Sequence, residues 1–312
     1  MNPGSRALLG LLALPFVLSS WAGASESASH LYERMRDAVR NIDYEGRFVY
    51  QVGDQLDAMY VVHRQQNGRS LERLVALDGK HKQVIRGASA VACLDAHQRR
   101  ISVLGAGSRL GNTPVAGGAD LERVYRFEEG GLHRVAGRPA RELLIIPRDQ
   151  LRFGYRIALD EETGLPLRTI MLDENGRVHS QTLFVELKTG SLVTPIERDL
   201  SALQLAEMSP TPVPPASASA SEAPLQLDKL PPGFRPVPLP SSNPQVQHLL
   251  LTDGLASVSL YIEPLQGQPF EGYSSAGAME MYGARRGDAQ VMVVGEVPRG
   301  TLASIASALD LE

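Results

Sequence analysis

Short runs of alternating apolar and polar residues, each closed by a glycine-containing turn, repeat through the first two-thirds of the chain. They leave antiparallel sheet as the natural outcome. The clearest example is YRIALDEETGLPLRTIMLDENGRV, from Tyr155 to Val178. Read two by two, Tyr155, Ile157 and Leu159 share one face, while Arg156 and Asp160 lie opposite. The connections DEETG and DENG place Gly164 and Gly176 where such hairpins demand positive φ. The same pattern runs through RFVYQVG, AMYVVHRQQ, LERLVALDG, KQVIRG, SAVACLDA and RRISVLG, then through VYRFEE, RPARELLIIPRD and RVHSQTLFVEL. Spacing and β-branched content predict about ten strands in a meander.

Some of these strands are apolar on both faces. In LRTIMLD, Leu167 and Met171 point one way, Ile170 and Leu172 the other. A sheet with one wet side alternates more cleanly, so the far side is expected to be covered as well, by a helix or by a ligand. A long curved sheet with a helix across its mouth suits an acyl chain, each buried methylene contributing about 0.8 kcal/mol. The same helix and loops could equally fill the hollow.

A helix is available. Leu31, Met35, Ala38 and Val39 mark one apolar stripe, with Ser27 or Ser29 as N-cap. Ahead of it, MNPGSRALLGLLALPFVLSSWAGA has the order of a secretory leader: Arg6, an apolar run, then Ala22-Gly23-Ala24. The run is about 14 residues, short of the roughly 20 that span a bilayer. The mature chain is therefore expected to be exported, soluble and to start near Ser25. Cys93 is the only cysteine. It lies far from the cleavage site, which argues against a lipid-anchored lipoprotein, and alone it forms no internal disulfide.

Further on, MSPTPVPPASASASEAPLQ is a solvated linker by composition. Beyond it a second meander, QHLLLTDGLASVSLYIEPL and AMEMYGARRGDAQVMVVGEVP, ends in a short helix marked by Leu302, Ile305, Ala306 and Leu309. The expected partition is a leader over 1–24, a large domain over 25–200, a linker over 201–229 and a small α+β domain over 230–312.

Chemistry is sparse. The chain has no Gly-x-Ser-x-Gly elbow, no His-Glu-x-x-His and no Cys-x-x-Cys. Its seven histidines stand singly, away from ligand spacing. Gly105-Ala106-Gly107 with Gly111 imitates a dinucleotide fingerprint, but its spacing is wrong and NTPVAGG cannot open the required helix. With 31 Lys and Arg against 35 Asp and Glu there is no overall basic footprint for nucleic acid. Local clusters remain at Lys80-His81-Lys82, Arg99-Arg100 and Arg285-Arg286. They read as solvated turn charges or as contacts for an anionic lipid. No catalytic residue, metal site or cofactor is expected.

The stretch VAGRPARELLIIPRDQLRFGYRIALDEETGLPLRTIMLDENGRV closely resembles the MucB/RseB family, as do LPPGFRPV, LTDGLASVSLYIEPL and VMVVGEVPRGT. The resemblance implies a periplasmic negative regulator of an envelope-stress sigma factor. Its large domain would be a lipoprotein-carrier-like, unclosed antiparallel β-barrel covered by helices. Its small domain would help bind the periplasmic segment of a MucA/RseA-like membrane anti-sigma factor and shield it from site-1 proteolysis. Lipid or lipopolysaccharide would trigger release. The competing reading is a soluble periplasmic carrier of lipids or lipoproteins. Homo-oligomers are open, as is the identity of the lipid. Phe48, Tyr50, Met59, Val61, Ile157 and Leu159 are the candidate lipid-cavity wall. Tyr261, Glu263, Leu265, Arg285 and Arg286 are the candidate partner contacts, on the idea that a strand edge of the small domain receives a strand from the partner.

Overall fold

The computed structural model describes residues 27–66, 69–80, 82–86, 91–94, 100–104, 121–193, 226–227, 229–238 and 245–310. The leader, most of the linker, the Gly-rich loop after Leu104, His81 and Arg99 lie outside them.

The chain opens with α1 (Ala28–Asn41), whose N-cap is Ser27, its side chain accepting from the His30 amide at 3.3 Å. Ser27→Ala is expected to cost about 1 kcal/mol, read as a lower midpoint in thermal unfolding followed by circular dichroism. The predicted stripe of Leu31, Met35, Ala38 and Val39 is buried, together with Tyr32.

Six strands follow: β1 (Tyr44–Val52), β2 (Gln55–Gln66), β3 (Arg69–Ala76), β4 (Gln83–Arg86), β5 (Val91–Leu94) and β6 (Arg100–Leu104). After the four-residue α2 (Leu121–Val124), which the periodicity does not announce, come β7 (Tyr125–Val135), β8 (Arg138–Pro147), β9 (Gly154–Asp160), β10 (Pro166–Leu172) and β11 (Val178–Thr189). All eleven form one antiparallel sheet in the order β6-β5-β4-β3-β2-β1-β11-β10-β9-β8-β7. Every neighbour in that order is also a neighbour in sequence except β1 and β11, whose pairing joins the two meanders. The sheet ends at β6 and β7, so the barrel is unclosed. Gly164 and Gly176 take positive φ, as their turns require.

The helix α1 covers one face of the sheet. Its Tyr32 ring meets Phe127 of β7 at 5.1 Å, and Leu31 and Met35 join one apolar cluster with Ile157, Leu159, Leu167 and Met171. The expectation that the far side of β10 is covered too needs correction. There Glu142 draws in Arg156 at 3.6 Å and Arg168 at 3.9 Å, a charged outer surface. Ile170 is nonetheless buried and sits opposite Arg156 in the register. The apolar stem of an arginine can shield such a residue while its head stays wet, so a second apolar face needed no second layer.

The smaller sheet holds β13 (Arg235–Pro238), β14 (Gln247–Thr252), β15 (Ser257–Pro264), β16 (Gly272–Ala276), β17 (Met279–Arg286) and β18 (Ala289–Gly295), in the order β13-β14-β15-β18-β17-β16. The helix α3 (Arg299–Ser307) packs Leu302, Ile305 and Ala306 against Val258, Leu260, Val291 and Val293. Leu309, expected in that helix, instead belongs to β19 (Leu309–Asp310), which pairs with β12 (Gln226–Leu227) at the end of the linker segment. No described helix is long and apolar enough to cross a membrane.

Candidate functional site

The two sheets meet at a buried ion pair. Arg152 follows β8 and Asp253 sits in the turn between β14 and β15, 101 residues later. Both side chains are fully removed from solvent, with Arg152 Nη1 donating to Asp253 Oδ2 at 2.6 Å. The same oxygen accepts from the Tyr125 hydroxyl at 2.9 Å. Asp253 Oδ1 is bound within its own turn, accepting from the Leu255 and Ala256 amides at 2.9 and 2.8 Å. The LTDGLA turn thus holds its carboxylate pre-aimed at the larger domain. Three of the four remaining guanidinium protons are also used. Arg152 Nε and Nη2 reach Asp149, and Nη2 also donates to the Pro232 carbonyl at 2.6 Å. The rings of Tyr125 and Phe234 lie 5.6 and 5.3 Å from its central carbon, within cation–π range.

Apolar and backbone contacts surround this pair. Leu255, at the tip of the small-domain hairpin, is buried in the apolar cluster of the large sheet. Gly233 packs on α2 at φ 84, where an added Cβ would stand 2.8 Å from Val124 Cγ1. Thr301 Oγ1 in α3 donates to the Leu151 carbonyl at 2.8 Å, and the His179 ring nitrogen Nε2 lies 3.0 Å from the Ala278 carbonyl. Burial, and then the Asp253 carboxylate, push the Tyr125 phenol well above its usual range. Burial works against the charge of Arg152, but the Asp149 hydrogen bonds and the Asp253 field outweigh it. Burial also pushes the Glu296 carboxyl up to about 7. Its charge in turn acts on Tyr155 of β9, whose phenol is raised first by burial and then by Glu296. A cleft of about 360 Å³ opens beside this junction, lined by Phe153, Asp173 and His179 on one side and Glu280, Pro298 and Arg299 on the other.

The predicted lipid-wall residues are brought together. Phe48, Val61, Ile157 and Leu159 are buried in one cluster with Leu31 and Met35 of α1, while Tyr50 and Met59 are partly buried and packed against it. An acyl chain reaching the four buried positions would have to displace α1. The predicted partner residues also gather, at one end of the small sheet. Glu263, Gln290 and Arg285 stand in one cross-strand row, and the Leu265 amide bonds the Asp288 carbonyl beside the turn that carries Arg286. Tyr261 stacks on His248 at 4.2 Å. The strand-edge idea does not hold for this strand, because β15 is paired on both sides, to β14 and β18.

His63 serves local structure. It lies between the Ile42 carbonyl at 2.9 Å and Ser70 Oγ at 2.8 Å and stacks on Tyr44. Among the described residues no group of three His, Cys, Asp or Glu could hold a metal ion. Sequence reading passed over Arg152 and Asp253. An aspartate in an Asp-Gly turn reads as surface, and nothing local marks an arginine as buried.

Comparison with known proteins accounts for the whole architecture. The MucB/RseB N-terminal domain matches residues 27–215 and the MucB/RseB C-terminal domain matches residues 219–310. The sigma factor AlgU regulatory protein MucB of Pseudomonas aeruginosa is 32% identical over 95% of each chain. The sigma-E factor regulatory protein RseB of Haemophilus influenzae is 27% identical over 93% of each. A solved complex of Pseudomonas aeruginosa MucA and MucB superposes with a TM-score of 0.67 at 30% identity, covering 91% of this chain and 99% of that one. A crystal structure of MucB with MucA(peri) gives 0.66 at 30% identity, over 92% and 99%. With both domains matched in order and along almost their full length, the chain belongs to the MucB/RseB family of regulatory proteins.

Proposed function

We propose that this protein is a periplasmic negative regulator that binds the periplasmic segment of a MucA/RseA-like anti-sigma factor and shields it from the first proteolytic cut. The observation that carries this reading is the match of both domains to a family whose relative MucB has been crystallised with MucA(peri). The division into a mature large domain over 25–200, a linker over 201–229 and a partner-binding domain over 230–312 is part of the proposal. So is the absence of catalysis: the protein acts by occupancy.

Lipid or lipopolysaccharide is the releasing signal in this reading. Support comes from the continuous apolar face beneath α1, with Tyr50 and Met59 as its partly exposed residues. Release requires that lipid prefer a conformation with weaker grip on the partner. A tenfold shift needs about 1.4 kcal/mol of differential binding. The small domain and its latch favour regulation over simple carriage of lipid, since a carrier has no need of either.

The test is retention of the anti-sigma factor's periplasmic segment by the purified mature protein, measured by biolayer interferometry. Binding at micromolar concentration or tighter is expected, weakening when lipopolysaccharide is added. No retention at that concentration removes the regulatory reading.

A further inference from the structure

A sheet edge is a row of unpaired backbone donors and acceptors, and proteins usually block it with proline, charge or a bulge. Three of the four outer edges of the two larger sheets can be compared. On β13, Pro236 and Pro238 lack amide protons. On β7 a register shift between Glu129 and Leu132 breaks the line, and Arg126, Glu128 and Glu129 charge it. The third edge, β16, reads Gly-Tyr-Ser-Ser-Ala. It has no proline and no charge, and it runs in unbroken register with β17. Among the described residues no strand pairs with its outer side.

The register says which groups point outward. Gly277, at φ 61, opens the two-residue turn between Ala276 and Met279. The pair that brackets such a turn is hydrogen-bonded, and hydrogen-bonded and open pairs then alternate along the ladder. The Ala276–Met279 and Ser274–Met281 pairs are therefore closed, while Tyr273–Tyr282 and Ser275–Glu280 are open. The amide and carbonyl of Tyr273 and of Ser275 face away from β17. Both residues are exposed, and the Tyr273 side chain lies on the α3 side, with the Arg299 guanidinium 5.7 Å from its ring.

We infer that the outer edge of β16 receives an added β-strand: an extended segment of the anti-sigma partner pairs with Tyr273 and Ser275 and continues past Ala276 into the cleft between the domains. This rests on the regulatory reading above and assigns it a surface. Continuity argues for this occupant. The Ala276 end of β16 leads directly to Ala278, whose carbonyl meets His179 of the large sheet, and Glu280, opposite Ser275, already lines the cleft. A segment leaving the edge there touches both domains, so its hold depends on how the domains are latched. Glu174 on the cleft wall fits a Lys or Arg on the flank that enters it, Asp173 and Glu280 there being already paired with Arg177 and Arg299. A second copy of this chain is the poorer fit. A five-residue pairing about a two-fold axis falls far short of the ~1,000 Å² a stable interface needs, and it leaves the cleft empty.

The experiment uses the mature protein and the periplasmic segment of its own organism's anti-sigma factor. Ser275→Pro removes an outward amide without touching the β16–β17 ladder, and Ser275→Val keeps that amide. The proline variant is expected to lose at least tenfold in affinity, with the valine variant within twofold of the parent. Hydrogen exchange should show the Tyr273 and Ser275 amides slowing at least tenfold when the segment binds, which covers a proline variant that fails to fold. Unchanged binding by a folded Ser275→Pro overturns the inference, as does exchange at these amides that is unaffected by the segment. So does exchange already as slow as in β17 in the free protein, which would mean that the chain covers its own edge. A concentration-dependent dimer lost in Ser275→Pro while segment binding persists would assign the edge to self-association instead. If the parent itself does not bind the segment, the regulatory reading has failed before the edge is in question; this inference falls with it.

Discussion

Replacing Asp253 with alanine is expected to cost about 3–5 kcal/mol, the penalty for leaving a buried guanidinium without its partner. The loss is large because Asp253 does two jobs. Oδ2 neutralises Arg152 and accepts the Tyr125 hydroxyl, while Oδ1 ties the Leu255 and Ala256 amides that shape the turn. Without it, Leu255 loses the turn that seats it in the large-domain cluster. Urea unfolding should show the midpoint falling, and the two domains should begin to melt separately. A companion change, Arg152→Met, removes the charge as well. The double variant should be less destabilised than the sum of the two single changes, since the worst state is one charge alone. A loss below about 1 kcal/mol for Asp253→Ala, with a single unchanged transition, would show that the domains are joined by something else.

The second large effect is a dependence on pH through Glu296. Its carboxyl is pushed by burial from 4.5 to about 7. Between those values the folded protein holds a proton that the unfolded chain releases. Stability from this group is therefore fully present below about 4.5 and declines as pH rises to about 7. At 1.36 kcal/mol per pH unit the decline amounts to about 3 kcal/mol. Glu296→Gln should abolish that slope and raise stability by a similar amount at pH 8, with little change at pH 4. The charged neighbours are placed at the same junction: Tyr155 carries the field of Glu296, and of Asp253 after it. Denaturant titrations at a series of pH values would check this, and parallel slopes for parent and variant would refute it. If the slope is confirmed, the junction between the domains is loosest above neutral pH.

Asp253 and Arg152 lie in segments whose local pattern points elsewhere. LTDGLA is a hairpin turn by sequence, and it is one in the structure. Its aspartate would ordinarily be solvated. LPPGF is a proline-rich lead into a strand, yet its Pro232 carbonyl and Phe234 ring enclose Arg152. RDQLRFGYR is a loop and a strand start, and its arginine is among the largest fully buried side chains. All three stretches carried the family resemblance, and the structure brings them to one point. The resemblance therefore ran through the contact between the domains, a fact invisible while the stretches were read one by one.

Much else was legible. The apolar stripe of α1, the positive φ of Gly164 and Gly176, the antiparallel meander and the separate small domain all follow from residues a few places apart. Alternation in YRIALD places Tyr155, Ile157 and Leu159 on the buried face because successive side chains of any strand point opposite ways. Those are local rules, and a linear chain obeys them wherever the segment ends up. Rank in the sheet is different. SLYIEPL, which carries candidate partner contacts, alternates cleanly but lies in the interior; GYSSA looks too polar to notice, but is the open border. Alternation is the same for a central and an edge strand, so only the pairing itself decides which is which. The Arg152–Asp253 contact likewise depends on chain closure over 101 residues, and no neighbour in sequence records it.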